Sequence, residues 1–353
     1  MSERILLVRR DNIGDLVLTT PLIAALRAKK PDAWIGFLAN SYNAPVLSGN
    51  PHLDAVFAYD KAKHRPDKSR WSVYANTLRL LLRVRRLHID TLVLAGPGPQ
   101  RQALRLARWI AAKDVVGFVG ADSAPHAITR PVDYGDGAKL HETADVFRLL
   151  EPFGIVGEIP PCQVNPDPAR VGRLRAAVSL QIGTGRQLVG IQISARRARQ
   201  RWPMERFADL MARIGQAHDS AFMLFWAPGA AGDVHHPGDD EQAAALLKLL
   251  PPGTRVFAHT TARLEDLIAG LSLVDGLITP DGGAMHLAAG LGKPIVALFG
   301  DSPVARWHPW GVPYEAVQAD ARDVNAIQVD AVLSAWERLA PTVLAGLSPA
   351  RQG

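Results

Sequence analysis

The chain has 353 residues, 48% of them hydrophobic and 21% charged, with a single cysteine, Cys162. That balance excludes a disordered or fibrous chain, and one thiol excludes an internal disulfide framework and any multi-cysteine zinc or iron–sulfur site. The formal charge of +6 is unevenly placed, because residues 1–160 hold 22 Lys+Arg against 16 Asp+Glu while residues 161–353 hold 18 of each; the first half is therefore suited to an anionic partner.

The start, MSERILLVRRDNIGD, has an apolar run of only four residues before charges follow, unlike a secretory signal. No stretch approaches the ~18 uninterrupted apolar residues of a membrane-spanning helix. A cytoplasmic protein is expected, with docking on a surface as the alternative.

In chain order, short apolar runs rich in β-formers fall at 5–9, 34–39, 55–59, 91–95 and 115–119, separated by stretches of helical spacing at 16–29, 71–87 and 100–112. A Pro-rich segment over 158–168 follows and reads as a linker at 161–168. The pattern then repeats, with strands predicted at 188–194, 222–227, 255–259, 276–279 and 295–299, and helices at 204–217, 240–250, 264–273 and 285–291. A last helix near 328–340 is able to pack on either domain, and the tail after Pro341 reads as frayed. Continuously apolar strands alternating with helices predict parallel sheets covered on both faces. The fold class is α/β: two doubly wound, Rossmann-like domains, 1–160 and 169–353, facing a cleft, with ligands at the carboxyl ends of the strands.

Four segments carry candidate chemistry. The first runs Val8-Arg-Arg-Asp-Asn-Ile-Gly-Asp15 at the end of the first strand. Asp15 there is a candidate general base at a helix start, or else Asp15 or Asp11 is an N-cap. Arg10 and Asn12 flank it as acceptor-binding candidates. The second runs Thr279-Pro-Asp-Gly-Gly-Ala-Met-His286. Gly282 and Gly283 would open a helix N-terminus to a pyrophosphate, Asp281 would bind a sugar hydroxyl, and His286 lies one turn on; a plain tight turn and a core histidine are the alternatives. The third, Ser194-Ala-Arg-Arg-Ala-Arg-Gln-Arg-Trp-Pro203, places four arginines after a strand, with Ser194, Arg199 and Arg201 as phosphate-binding candidates and a solvated basic loop as the alternative. The fourth, 61–86, holds nine Lys+Arg and one acid. Lys61 and Lys63 are further acceptor-binding candidates. Its basic, aromatic helix fits an anionic membrane surface or an ordinary solvated face; no nucleic-acid motif accompanies it.

Together these strings resemble the family 9 glycosyltransferases, the lipopolysaccharide heptosyltransferase family. Arg9-x-Asp-x-Ile-Gly-Asp15 and Asp281-Gly-Gly-Ala-Met-His-Leu-Ala-Ala-x-Leu-Gly-Lys-Pro294 match its two signatures, Arg201-Trp-Pro-x-Glu-x-Phe207 a third, and Trp307-His-Pro-Trp310 a further piece. The resemblance implies the two-domain GT-B fold and inverting transfer of heptose from an ADP-sugar donor to a phosphorylated glycolipid, the lipopolysaccharide core or lipid A. It implies Asp15 as base, the 281–286 loop as donor site, no cofactor and no metal. With that acceptor, the charge asymmetry gives the further expectation that the basic first half faces the cytoplasmic side of the inner membrane, in peripheral contact with its anionic lipid. Two positions depart from the pattern: Gly282 stands where the family usually has Thr or Ser, and Gln200 where it often has Lys. The alternatives are a nucleotide-sugar-binding protein of the same fold without catalysis, or a nucleotide-sugar epimerase.

Overall fold

The structure, a computed structural model, describes residues 2–60, 69–98, 101–120, 127–135, 139–230, 232 and 238–345. The chain divides into two compact units between Asn165 and Pro166. In the first, strands β1 (Arg4–Val8), β2 (Trp34–Asn40), β3 (Ala55–Tyr59), β4 (Thr91–Leu94), β5 (Asp114–Val119) and β6 (Arg130–Asp133) form one parallel sheet in the order β3-β2-β1-β4-β5-β6. In the second, β7 (Leu188–Gln192), β8 (Ala221–Trp226), β9 (Val256–Thr260), β10 (Gly276–Pro280), β11 (Ile295–Phe299) and β12 (Tyr314–Gln318) form another, in the order β12-β11-β10-β7-β8-β9. Counted from its own first strand, each unit has the doubly wound order 3-2-1-4-5-6. The order therefore reverses between β1 and β4 in one unit and between β7 and β10 in the other, and ligands bind beyond the carboxyl ends of such pairs.

The central strands β4, β7, β10 and β11 are buried along their whole length, which explains their unbroken apolar runs. The edge strands β6 and β12, which periodicity does not pick out, are short and half exposed. Pro131 is tolerated in β6 because an edge strand need not donate from every residue.

The helix predicted over 16–29 is two helices, α1 (Ile13–Val17) and α2 (Thr20–Lys29). Pro21 has no N–H to continue the first, and its ring opposes the carbonyl four residues back; the Thr20 hydroxyl donates to the Val17 carbonyl instead, at 2.7 Å. Helices α3 (Arg70–Arg85) and α4 (Arg101–Ile110) cover one face of the first sheet, packing on Leu6, Phe57, Leu92 and Leu94. A short helix not foreseen, α5 (Glu142–Phe147), follows.

The Pro-rich segment is not a plain spacer. Cys162 is buried and its thiol is pushed up to about 12 by burial, and the Gln163 N–H donates to the Thr20 hydroxyl at 2.9 Å. Pro168 already belongs to α6 (Pro168–Ile182), whose cap Asp167 accepts from the N–H groups of Ala169 and Arg170. The second unit continues with α7 (Met204–His218), α8 (Asp240–Leu249), α9 (Leu264–Leu273), α10 (Gly283–Gly290), α11 (Val304–Trp307) and α12 (Val329–Ala345).

The last helix, α12, packs on β11, β12 and α7 of its own unit. It also runs through Pro341, where fraying was expected, because Leu339 and Val343 on either side are buried. Gly276 at the start of β10 leaves the room for this: a Cβ there would lie 3.0 Å from the Trp336 ring and 3.3 Å from Val343. Gly276→Ala should therefore lower stability by about 1–3 kcal/mol, seen as a reduced urea midpoint at unchanged slope.

Candidate active site

In the first unit the carboxyl end of β1 carries Arg9, whose side chain is fully buried. A buried guanidinium needs counter-charges, and three carboxylates supply them. Glu142 Oε1 accepts from Arg9 Nη2 at 2.6 Å, Asp15 Oδ1 lies 3.5 Å from the same nitrogen, and Asp11 Oδ2 lies 3.2 Å from Nε, close enough to pair but not aligned for a hydrogen bond. Arg9 Nη1 donates to Thr19 Oγ1 at 3.3 Å, and that hydroxyl donates to the Asp15 carbonyl at 2.8 Å. Burial alone would lower the Arg9 pKa; the charges of Asp15, Glu142 and Asp11 reverse this, and it stands above its ordinary value.

Asp15 is the third residue of α1, and Asn12, not Asp15 or Asp11, caps that helix. The Asp15 side chain folds back over the first turn, where Oδ2 accepts from the Asn12 N–H at 2.8 Å and from Asn12 Nδ2 at 3.0 Å. Both readings of Asp15 thus meet in one residue: Oδ2 closes the helix start, while Oδ1 keeps only its longer contact with Arg9. The loop beneath is pinned from β2 and the turn after it, since Asn40 Nδ2 and Asn43 Nδ2 both donate to the Asp11 carbonyl, at 3.2 and 3.1 Å. Arg10 Nε donates to the Tyr59 hydroxyl at 3.0 Å; burial pushes that phenol up, opposed by the Arg10 contact. Asn12 is exposed. Lys61 and Lys63 lie outside the described residues.

In the second unit the register pairs Ile191 with Ile278, so Ser194 and Asp281 leave β7 and β10 at the same level of the sheet, beside the point where strand order reverses. The Ser194 hydroxyl accepts the Ala227 N–H at 2.9 Å and keeps its own proton to donate. Asp281 is half-buried. Burial raises its carboxyl above the usual range; a Ser302 hydrogen bond opposes this, Asp301 adds to it and Arg197 opposes it. Gln200 Nε2 reaches Asp281 Oδ2 at 3.5 Å.

Gly282 caps α10 without any side-chain bond, leaving the first-turn N–H groups without an intrahelical partner. Its backbone is extended, and a Cβ would meet nothing within 4 Å. Glycine is therefore not demanded there by the chain itself; the space beside it is open.

Two candidates sit differently from expectation. Arg201 is committed within its own unit: Nη1 pairs with Asp239 at 2.7 Å and Nε donates to the Ala195 carbonyl at 3.0 Å. His286 is 4% exposed, its ring edge-on to Trp307 at 6.4 Å, so it packs inside the unit rather than opening outward. Arg199 is exposed near Asp323. Trp202 of the third motif is a core residue, donating from Nε1 to the Ile327 carbonyl at 3.0 Å. Sequence reasoning missed Arg9 and Glu142, which lie 133 residues apart; the available signal was an arginine ending an otherwise buried apolar strand. Among the described residues no group of three or more His, Cys, Asp and Glu side chains is arranged to hold a metal ion. Asp11, Asp15 and Glu142 surround the Arg9 guanidinium.

Arg9→Met should cost about 3–5 kcal/mol, because it strands buried carboxylates without their cation; denaturant unfolding measures it. At Asp281 the folded state holds its proton more tightly than the unfolded chain, so stability falls as pH rises from the ordinary value of 3.8 through the raised one, and ionisation is a constant cost above both. Asp281→Asn should therefore raise the melting temperature at neutral pH. The gain should vanish below pH 3.8, where both states are protonated; calorimetry across pH reads this, and a pH-independent gain would contradict it.

Comparison with known proteins agrees with this geometry. Residues 92–331 match the family described as glycosyltransferase family 9 (heptosyltransferase). Lipopolysaccharide heptosyltransferase 3 of Escherichia coli is 25% identical over an alignment covering 95% of this chain and 98% of that protein. Among solved structures, the glycosyl transferase family 9 from Veillonella parvula DSM 2008 has a TM-score of 0.82 at 21% identity, covering 98% of both chains. The E. coli ADP-heptose lps heptosyltransferase II has a TM-score of 0.75 at 17% identity, covering 98% of this chain and all of that one. The fold they share with it is the GT-B pairing of two Rossmann-like units. With a family match over most of its length, both signature strings at strand ends where the winding reverses and that fold, the chain belongs to glycosyltransferase family 9, the heptosyltransferases.

Proposed function

We propose that the protein transfers a heptose from ADP-heptose to a lipopolysaccharide core acceptor by single displacement with inversion, with Asp15 as the base. The observation that carries this reading is the Asp15 carboxylate: Oδ2 is held by two Asn12 donors, while Oδ1 has only a 3.5 Å ion-pair contact with Arg9. Such a group is oriented, retains a lone pair and is 11% exposed at the side chain, as proton removal from an attacking hydroxyl requires. Arg10 and Asn12, with Lys61 and Lys63, are the acceptor-binding groups in this reading.

The donor side is built mainly from backbone. The first-turn N–H groups of α10 and its dipole suit a departing diphosphate, the Ser194 hydroxyl has a proton for a phosphate oxygen, and Asp281 accepts from a sugar hydroxyl. Arg199 is free to approach a phosphate, whereas Arg201 has only Nη2 uncommitted. The name of the E. coli relative supports the lipopolysaccharide acceptor, and that of its structural neighbour the ADP-linked donor. A lipid-anchored acceptor puts the enzyme at the cytoplasmic face of a membrane; among the described residues no helix is long and apolar enough to cross one.

Gln200 and Gly282 favour a second reading, nucleotide-sugar binding without transfer, since they remove a cation and a hydroxyl from beside Asp281. A thermal-shift series with ADP, UDP and GDP, followed by ADP release from ADP-heptose with and without core acceptor, separates the possibilities. The transferase reading expects preference for ADP and acceptor-dependent release. Asp15→Asn should lower kcat by about 10²–10⁴-fold while leaving the ADP-induced shift in place. Binding without any acceptor-dependent release supports the second reading, and sugar conversion without acceptor indicates an epimerase. Gln200→Lys, placing an ammonium beside Asp281, should tighten ADP binding by up to about fivefold, measured by titration calorimetry.

A further inference from the structure

We infer that the outer face of α3 and α4 docks the protein on an anionic phospholipid bilayer. Helix α3 has two apolar stripes, where a helix on a sheet needs one. Val73, Leu81 and Val84 face inward and are at most 6% exposed. A second set faces out: Trp71 is 85% exposed, Tyr74 56%, and Leu78 and Leu82 42% each, with Trp109 of neighbouring α4 at 51%. At 3.6 residues per turn, Trp71, Leu78 and Leu82 fall within about 40° of one another, roughly opposite Val73 and Val84. Leu81 and Val84 of the inner stripe join the unit's core, whereas the outer side chains are not among its core residues and lie along a helix about 24 Å long.

The charge beside this patch selects its partner. The segments of α3 and α4 contain seven arginines and no acidic residue. Arg79, Arg83 and Arg86 project along one flank of the outer stripe, and Arg105 and Arg108 are exposed on α4. Arg85 Nη1 donates to the Trp109 carbonyl at 3.2 Å, tying the two helices together at the patch. A second copy of this chain would bring like charges face to face. A surface of phosphate headgroups over hydrocarbon matches both features, with aromatic rings at the headgroup level, aliphatic side chains below and arginines on the phosphates. Because α3 follows β3, it starts at the carboxyl end of the sheet, the end that carries Asp15, so a docked bilayer would lie along a face that reaches the acceptor side of this unit. The inference rests on the proposed glycolipid reading only for that consequence.

Co-sedimentation with phosphatidylcholine vesicles, with and without phosphatidylglycerol and free of any glycolipid, tests it. The protein should bind only the anionic vesicles. Arg83→Gln and Arg86→Gln should each weaken binding about fivefold, and Trp71→Ser with Leu78→Ser about tenfold or more. These side chains are exposed, so the variants should keep the wild-type melting temperature and unchanged transfer to a soluble truncated acceptor, while losing transfer to acceptor embedded in vesicles. Equal binding to both vesicle types, or binding unmoved by the substitutions, overturns the inference; so does capture by duplex DNA or an acidic polypeptide that anionic vesicles cannot displace. Absence of transfer to the soluble acceptor in the wild type would count against the catalytic reading and leave the vesicle result standing.

Discussion

A guanidinium taken fully out of water organises the first unit. Arg9 stands at the end of the sheet's central strand, and isolating such a charge from solvent is expensive unless it is closely paired. Its partners come from three places: the loop after β1 through Asp11, α1 through Asp15, and α5 through the wholly buried Glu142. Glu142 and Asp15 are tolerated in the interior because the cation is there, and the cation because they and the half-buried Asp11 are. One consequence is geometric. The Asp15 carboxylate, the base in the proposed reading, is held by Asn12 and paired with Arg9, while the Asn40 and Asn43 amides fix the intervening loop.

The second unit solves a different problem with different means. Its site has few free charges, since Arg201 is bound to Asp239, Arg197 lies beside Asp301, and Gln200, a neutral amide, is the neighbour of Asp281. What remains is an oriented set of backbone N–H groups at α10, a serine hydroxyl and a carboxyl that burial raises above the usual carboxylate range. Dipoles of this kind need no rearrangement when charge develops on a leaving group. The family identity and this arrangement agree, while the open space at Gly282 and the amide at Gln200 locate where this chain differs from the common pattern of its family.

The distribution of charge acquires a structural meaning. The +6 excess of the first half does not lie in the Arg9 cluster, where carboxylates outnumber the cation. Much of it stands on α3 and α4, outside the unit, among exposed aromatic and aliphatic side chains. Under the proposed reading, the arginines of α3 and α4 would hold the anionic partner while the Asp15 carboxylate takes the proton, so the two tasks fall to separate sets of residues.

The β1–α1 and β10–α10 segments were readable from the chain because their requirements are local. Continuous apolar runs demand burial on both faces, alternation with helical periodicity demands parallel winding, and an ordered string such as Asp281-Gly-Gly-Ala-Met-His286 carries its family with it. Edge strands β6 and β12 were not readable, since Arg-Pro-Val-Asp and Tyr-Glu-Ala-Val-Gln lack the apolar continuity that the edge strands β3 and β9 keep, and neither was the break at Pro21, where a helical pattern of side chains continues across an interrupted backbone. Beyond local reach lay every partnership decided by distant segments: Arg9 with Glu142, Arg201 with Asp239, α12 with β11 and β12, and the inward turn of His286 against Trp307. The sequence by itself determined the fold class, the family and which residues could do chemistry. Only the tertiary structure decided which of those side chains remain available and which are consumed as internal counter-charges, because pairing in a low-dielectric interior depends on proximity in space, which spacing along the chain does not encode.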